Sequence, residues 1–224
     1  GGDDTANVID GGEGDDTIYG GQANIDGRRD HLIGGAGDDQ ISGTSTGDRL
    51  EGGDGADTVT ANAGDSRVMG QGGDDILNDN SGDQGVSLMG GAGNDVLHGY
   101  TGDLLDGGSG KDTLFGQSDG NTLLGGAGAD TFIFNWNVST TAVIGDLTND
   151  DKINLNGIDA DTGQRGNQDF TLVSSFDHHA GEAALVYDSG SDQTRLLLDT
   201  NGDAVADITI LIAGDHTDFS HFHL

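Results

Sequence analysis

GGAGNDVLH, residues 90–98, sets three glycines and an Asn-Asp pair ahead of one large apolar side chain, Leu97. Glycine costs more backbone entropy to order than any other residue, and neighbouring acids repel. Met once, the stretch would read as a surface loop. It recurs, however, as GGEGDDTIY from Gly11, GGAGDDQIS from Gly34, GGDGADTVT from Gly52, GQGGDDILN from Gly70, GGSGKDTLF from Gly107 and GGAGADTFI from Gly125. Successive starts lie 23, 18, 18, 20, 17 and 18 residues apart. The period is two nonapeptides, and a fixed period of this size marks a stacked repeat architecture.

Weaker nonapeptides lie between the strong ones: GTSTGDRLE from Gly43, ANAGDSRVM from Ala61, DNSGDQGVSLM from Asp79, GYTGDLLD from Gly99 and GQSDGNTLL from Gly116. GGQANIDGRRDHLI from Gly20 is a stretched version. Their double glycines are mostly gone, but the large apolar position persists. In order it reads Ile18, Leu32, Ile41, Leu50, Val59, Val68, Leu77, Leu88, Leu97, Leu105, Leu114, Leu123 and Phe132. Each sits in the middle of a three-residue strand, where period-2 alternation points it inward and its neighbours outward. The other six residues form a turn. Glycines there allow φ > 0 and let carbonyls aim at one place, and the Asp adds an anionic oxygen. An oxygen-only donor set of six to eight tolerant ligands suits calcium better than magnesium, which demands strict octahedral geometry. The repeats offer no Cys and no recurring His to attract zinc or copper.

Composition narrows the partners. The 224 residues carry 40 Asp+Glu against 8 Lys+Arg, a formal net charge of -32, so nucleic acid and anionic membrane would be repelled. There is no run of about 18 apolar residues to span a bilayer. With no Cys, no disulfide framework exists, and with no Pro, no slow isomerisation delays folding.

The pattern Gly-Gly-x-Gly-x-Asp-x-U-x, with U apolar, resembles the RTX family over roughly residues 1 to 134. The resemblance implies an all-β fold: a right-handed parallel β-roll with two nonapeptides per coil. Strong and weak repeats would then fall on opposite edges. On the strong edge, calcium is expected between the seven turns, about six ions in all. The side-chain ligands would be Asp16, Asp39, Asp57, Asp75, Asp95, Asp112 and Asp130. Carbonyls would come from Gly12, Gly14, Gly35, Gly37, Gly53, Gly55, Gly73, Gly91, Gly93, Gly108, Gly110, Gly126 and Gly128. Six ions would bring the charge from -32 to about -20. On the weak edge, Asp48, Asp65, Asp83 and Asp103 read either as solvated acidic turns or as a second, partly occupied calcium row. The core is thin for the chain it orders, so the roll is expected to be loose without metal.

Residues 135–224 leave the repeat and read as short strands, at Val143-Ile144, Lys152-Leu155, Phe170-Val173, Ala183-Tyr187, Thr194-Leu198 and Ile208-Ile212, with turns at Ser189-Gly190 and Asn201-Gly202. A solenoid end exposes strand edges and needs such a cap. GGAGADTFIF, IGDLTNDDKINL, AGEAALVYD and LLLDTNGDAVADITILIAGD, in that order, resemble the C-terminal domain of serralysin-type secreted metalloproteases. That resemblance implies a bacterial extracellular protein. Export would use the type I secretion machinery and an uncleaved C-terminal signal, without a signal peptide.

Several stretches carry two readings. Gly43–Gly47 and Gly116–Gly120 match Gly-x-Ser-x-Gly, but a hydrolase nucleophile needs a strand-to-helix elbow, and both lie in turns of the repeat register. No His-Glu-x-x-His is present, so metalloprotease chemistry cannot come from this chain. Asp199-x-Asn201-x-Asp203 with Asp207 reads as a calcium loop or a plain hairpin turn, and Asp146 with Asp150-Asp151 as a last calcium site or a solvated loop. His178-His179 and His221-x-His223 could hold a transition metal or form a mobile surface. Trp136, Phe132 and Phe134 could stack on a sugar or pack beneath the cap. The function that follows is a non-catalytic calcium-binding folding and secretion module of a larger extracellular protein. The alternative is a calcium-stabilised adhesin, surface-layer or extracellular polysaccharide-binding module, for which Arg49 and Arg67, one coil apart, are the nearest thing to a basic ladder.

Overall fold

A computed structural model describes residues 6–21, 29–135 and 142–224; Arg28 and Trp136 lie outside them. Among the described residues every regular element is a strand, β1 to β21. Odd and even strands of the repeat separate into two sheets. One holds twelve strands in the order β1 (Val8–Glu13), β3 (His31–Ala36), β5 (Arg49–Asp54), β7 (Arg67–Gly72), β9 (Ser87–Ala92), β11 (Leu104–Gly110), β13 (Thr122–Gly128), β15 (Ala142–Ile144), β20 (Ile208–Ala213), β19 (Gln193–Asp199), β18 (Glu182–Asp188) and β17 (Thr171–Leu172); the other holds nine in the order β2 (Thr17–Tyr19), β4 (Gln40–Gly43), β6 (Thr58–Ala61), β8 (Ile76–Asp79), β10 (Val96–Gly99), β12 (Thr113–Gly116), β14 (Thr131–Asn135), β16 (Lys152–Gly157) and β21 (Phe222–His223).

Each strong nonapeptide turn leads from the first sheet to the second, and each weak turn leads back. Thus β3 (His31–Ala36) gives way to β4 (Gln40–Gly43), then to β5 (Arg49–Asp54), β6 (Thr58–Ala61) and β7 (Arg67–Gly72). Pairing between coils is parallel and in register, with Leu32 on Leu50, Leu50 on Val68 and Val68 on Leu88. In the second sheet Ile18 lies on Ile41, Ile41 on Val59 and Val59 on Leu77. All thirteen apolar positions are buried, at 4% exposure or less. Two facing columns of aliphatic side chains therefore make one continuous core.

The strands differ between the sheets. Those of the second sheet run mostly to four residues, close to the x-U-x expectation. Those of the repeat in the first sheet, β1 to β13, run to six or seven because the glycine pair stays in the ladder, with Gly35 opposite Gly53 and Gly108 opposite Gly126. The second glycine of the pair is left-handed backbone that still pairs as strand.

Both sheets continue across residue 134. β15 (Ala142–Ile144) pairs with β13, and β16 (Lys152–Gly157) with β14 (Thr131–Asn135), all in parallel. β20 (Ile208–Ala213) and β21 (Phe222–His223) then lie on β15 and β16. The hairpin β18 (Glu182–Asp188) and β19 (Gln193–Asp199) turns at Ser189-Gly190 and covers β20 antiparallel. So in this sheet the outermost coil is covered by β19, which runs the other way. β21 has no counterpart in the strands expected from sequence, because Phe222-His223 is too short to show a period. Phe132 and Phe134 are fully buried, which settles them as packing residues rather than sugar platforms.

Candidate metal centre

The strong edge is built by two glycine columns and an aspartate column. The second and fourth positions of each repeat hold positive φ, from 89° at Gly126 to 153° at Gly128 among the glycines. They also stack so closely that a Cβ on Gly53 would sit 2.0 Å from the Gly35 carbonyl oxygen, and one on Gly73 2.0 Å from that of Gly55. Gln71 is the exception. It holds φ 83°, which an L side chain rarely adopts, and its Nε2 donates to Glu51 Oε2 at 2.9 Å.

The first glycine is required for a different reason. A Cβ on Gly34, Gly52, Gly70 or Gly90 would fall 2.1 to 2.2 Å from Oδ2 of Asp39, Asp57, Asp75 or Asp95 in the same turn. That position makes room for a carboxylate, not for a bend.

The aspartates form a ladder. The amide of Asp16 donates to Asp39 Oδ1 at 2.7 Å, Asp39 to Asp57, Asp57 to Asp75 and Asp75 to Asp95 at 2.8 Å. Asp95 to Asp112, Asp112 to Asp130 and Asp130 to Asp151 continue at 2.8 to 2.9 Å. One oxygen of each carboxylate from Asp39 onward is thereby fixed. The other, Oδ2 of Asp16, Asp39, Asp57, Asp75, Asp95, Asp112 and Asp130, is buried with no protein partner. From Asp39 to Asp130 the residues are 1% exposed. A buried anion with one bare oxygen is costly unless a proton or cation meets it. Burial pushes Asp57 and Asp112 up to about 6 and Asp75 up to about 7, with adjacent carboxylates adding to the rise. Asp95 and Asp130 are raised from the same first cause. The donor set is all oxygen and repeats once per coil, so the residues fit a row of hard divalent cations.

The row ends where this chemistry ends. Asp151 Oδ2 accepts the Thr148 amide and hydroxyl at 2.7 and 2.9 Å, and Asp146 spends both oxygens on the amides of Gly125 and Gly126. At the last turn, protein donors do what a cation would do elsewhere.

The weak edge carries the same ladder with a different outcome. The Asp30 amide donates to Asp48 Oδ1 and the Asp103 amide to Asn121 Oδ1. Asp48 Oδ2 accepts two amides of its own turn, Thr44 and Ser45, and Asp103 Oδ2 accepts that of Tyr100. These carboxylates cap turns with their own backbone. Asp65 and Asp83 face solvent, Asp65 at φ 56°. The geometry thus separates the four weak-edge aspartates from the seven strong-edge ones. Ser45, in the Gly-x-Ser-x-Gly look-alike, is buried in the same turn.

Three groups were not singled out from sequence. Asp15, Asp38, Asp74 and Asn94, just before the ladder aspartates, form a second outer ladder: Asp15 accepts the Asp38 amide, Asp38 that of Ala56, Asp74 that of Asn94 and Asn94 that of Lys111. Four Asx residues in seven repeats were the available signal. Asp30 joins the weak ladder, and its spacing of 18 residues from Asp48 was the clue. Asp79 faces inward, fully buried, with Oδ2 unpartnered, and it raises Asp103, which burial pushes to about 7. No repeat rule places an acid there.

In the cap, Asp199 is buried and accepts the amides of Asn201, Gly202 and Ala204, while Asp207 accepts from Thr200 and Asn201. Both carboxylates are spent on their own turn, which favours the plain-turn reading of this loop. Asp177, His179 and Glu182 offer ligand atoms within 4.8 Å of one another. His179 Nδ1 meets Asp177, and Glu182 accepts the Asp177 amide, so the trio is largely self-satisfied.

Residues 6–223 match the family described as the peptidase M10 serralysin C terminal. The chain belongs to that family. Membership implies a calcium-binding repeat domain of RTX type, corresponding to the C-terminal part of serralysins. A solved structure titled as the AlgE6R3 subunit of the Azotobacter vinelandii mannuronan C5-epimerase aligns at 17% identity. It covers 95% of this chain and 79% of that one, with a TM-score of 0.29, too low to bear on the fold. No curated protein matches the chain. Among the described residues no helix is long and apolar enough to cross a membrane.

Proposed function

We propose that this serralysin C-terminal domain is a non-catalytic module that folds on calcium after export and serves as the folding and secretion part of a larger extracellular protein. The observation that supports it most directly is the column of seven buried Oδ2 atoms without a protein partner. In the calcium-poor cytosol these carboxylates would repel, keeping the chain unfolded and exportable. Outside, Asp16, Asp39, Asp57, Asp75, Asp95, Asp112 and Asp130 would hold about six ions, with carbonyls of the paired glycines beside them. Binding energy at sites absent from the unfolded chain is folding energy. The capped end, with its antiparallel hairpin, would supply the first coil on which others stack. Type I export through the C-terminal segment belongs to the same proposal, on the family's association with secreted proteins.

The test is far-UV circular dichroism with calcium and with chelator. A coil-like spectrum in chelator that turns to β on calcium addition supports the proposal. An unchanged β spectrum overturns it. Export is tested separately, by deleting residues from 208 onward and following secretion through a type I system.

A further inference from the structure

In a chain of net charge -32, the outer face of the second sheet carries no carboxylate among the described residues of its eight repeat-register strands. The outward positions of the second sheet are Thr17 and Tyr19, Gln40 and Ser42, Thr58 and Thr60, and Ile76 and Asn78. They continue as Val96 and His98, Thr113 and Phe115, Thr131 and Ile133, and Lys152 and Asn154. Parallel pairing stacks them into two straight ranks over eight strands. At about 4.8 Å per strand the strip is about 34 Å long, and the ranks are about 7 Å apart. The acids lie on the turn edges and, as Asp10, Glu51 and Asp106, on the outer face of the first sheet.

We infer that this strip binds an extended neutral glycan. Twelve of the sixteen side chains are of kinds that meet sugars, hydroxyls and amides for hydroxyl groups and aromatic rings for ring faces, while Ile76, Val96 and Ile133 add apolar surface and Lys152 a single charge. Tyr19, Gln40, Ile41, Ser42, Thr58 and Thr60 line a shallow depression of about 130 Å³ at one end. At the middle His98 stacks on Phe115 with centroids 4.3 Å apart, and Gln117 Nε2 lies 3.2 Å from His98 Nδ1, fixing the ring. Burial lowers the His98 pKa, so the platform is neutral at pH 7.

Shape and charge choose among occupants. A strip of about 240 Å² falls well short of the roughly 800 Å² per partner that a stable dimer needs. An extended peptide joins a sheet by its edge, where backbone groups are free, not by its face. Polyanions are repelled by the acidic edges on both sides. A neutral polysaccharide pays no such penalty, and a linear one can follow the strip with a ring repeat close to the strand spacing. The inference needs only the folded roll, and deepens neither the calcium row nor export.

The experiment uses the calcium-loaded chain, its fold checked by circular dichroism in the same buffer. Retention is measured on cellulose and chitin, and in gels containing mixed-linkage β-glucan, glucomannan or alginate. Binding to at least one neutral glycan is expected, weakened about tenfold or more by Thr60→Glu and by His98→Ser with Phe115→Ser. The exposed Thr58→Glu serves where packing is disturbed. Thr122→Glu, on the opposite sheet, leaves binding unchanged. No retention of the folded chain on any neutral glycan overturns the inference. So does binding indifferent to the Thr58 and Thr60 variants, binding to alginate alone, or a dimer that Thr60→Glu dissociates. A chain that fails to fold in calcium would count against the calcium proposal instead.

Discussion

Alanine at two glycines of the strong edge should separate backbone strain from stacking. Gly12 and Gly53 occupy the same repeat position, with φ 99° and 125°. Alanine at either pays about 1 to 2 kcal/mol for left-handed backbone, offset by about 0.5 to 1 kcal/mol of lower unfolded-state entropy. For Gly12 that is nearly the whole effect, since nothing lies within 4 Å of the new Cβ. At Gly53 the Cβ meets the Gly35 oxygen at 2.0 Å and its carbonyl carbon at 2.8 Å. Both are backbone atoms held by pairing to coils on either side, with Gly53 opposite Gly35 and Gln71. Parting the coils locally adds overpacking of about 1 to 3 kcal/mol. Gly12→Ala should therefore cost about 1 kcal/mol, and Gly53→Ala about 2 to 4 kcal/mol. Urea unfolding at fixed, saturating free calcium measures both, since metal linkage then cancels to first order. Costs equal within about 0.5 kcal/mol would refute the stacked-carbonyl account.

Three further outcomes follow. Asp75→Asn should lower the number of bound calcium ions seen by equilibrium dialysis, whereas Asp48→Asn, whose oxygens already accept amides, should leave the number intact and cost about 1 kcal/mol of stability; an equal loss of ions in both would remove the distinction between the edges. The raised values of Asp57, Asp75 and Asp112 mean that the metal-free roll binds more protons than the unfolded chain between about pH 4 and 7. Its stability is then present at low pH and lost as pH rises through 6 to 7, so the chelated chain should gain β signal on acidification from pH 7.5 to 5, while the calcium needed for half-saturation rises; loss of structure over that range would contradict the burial argument. Gln71→Gly should stabilise by up to about 1 kcal/mol by relieving φ 83°, less the exposed bond to Glu51 and the added chain entropy, and a destabilised variant would show that this bond outweighs the strain.

How much of this was legible in the sequence depends on which contacts are local. The spacing of Leu97 from its neighbours fixes a coil of two strands, and alternation fixes which side chain enters the core, so all thirteen inward residues could be named from the string. The identity and order of Asp16 through Asp130 followed from the same period. The strand limits on the first sheet did not, because whether a glycine pair leaves the ladder or stays in it depends on the coil above.

The two aspartate edges look alike in wording: Gly-Asp occurs on both. Only the tertiary structure distinguishes Asp48, satisfied by Thr44 and Ser45 in its own turn, from Asp57, whose second oxygen has no protein partner. The end of the row at Asp151 is of the same kind, since Thr148 reaches it only when the last turn is folded. Periodicity is a property of the chain and survives in one dimension. Whether an oxygen is bare is a property of every neighbour at once, and it exists only when the coils are stacked.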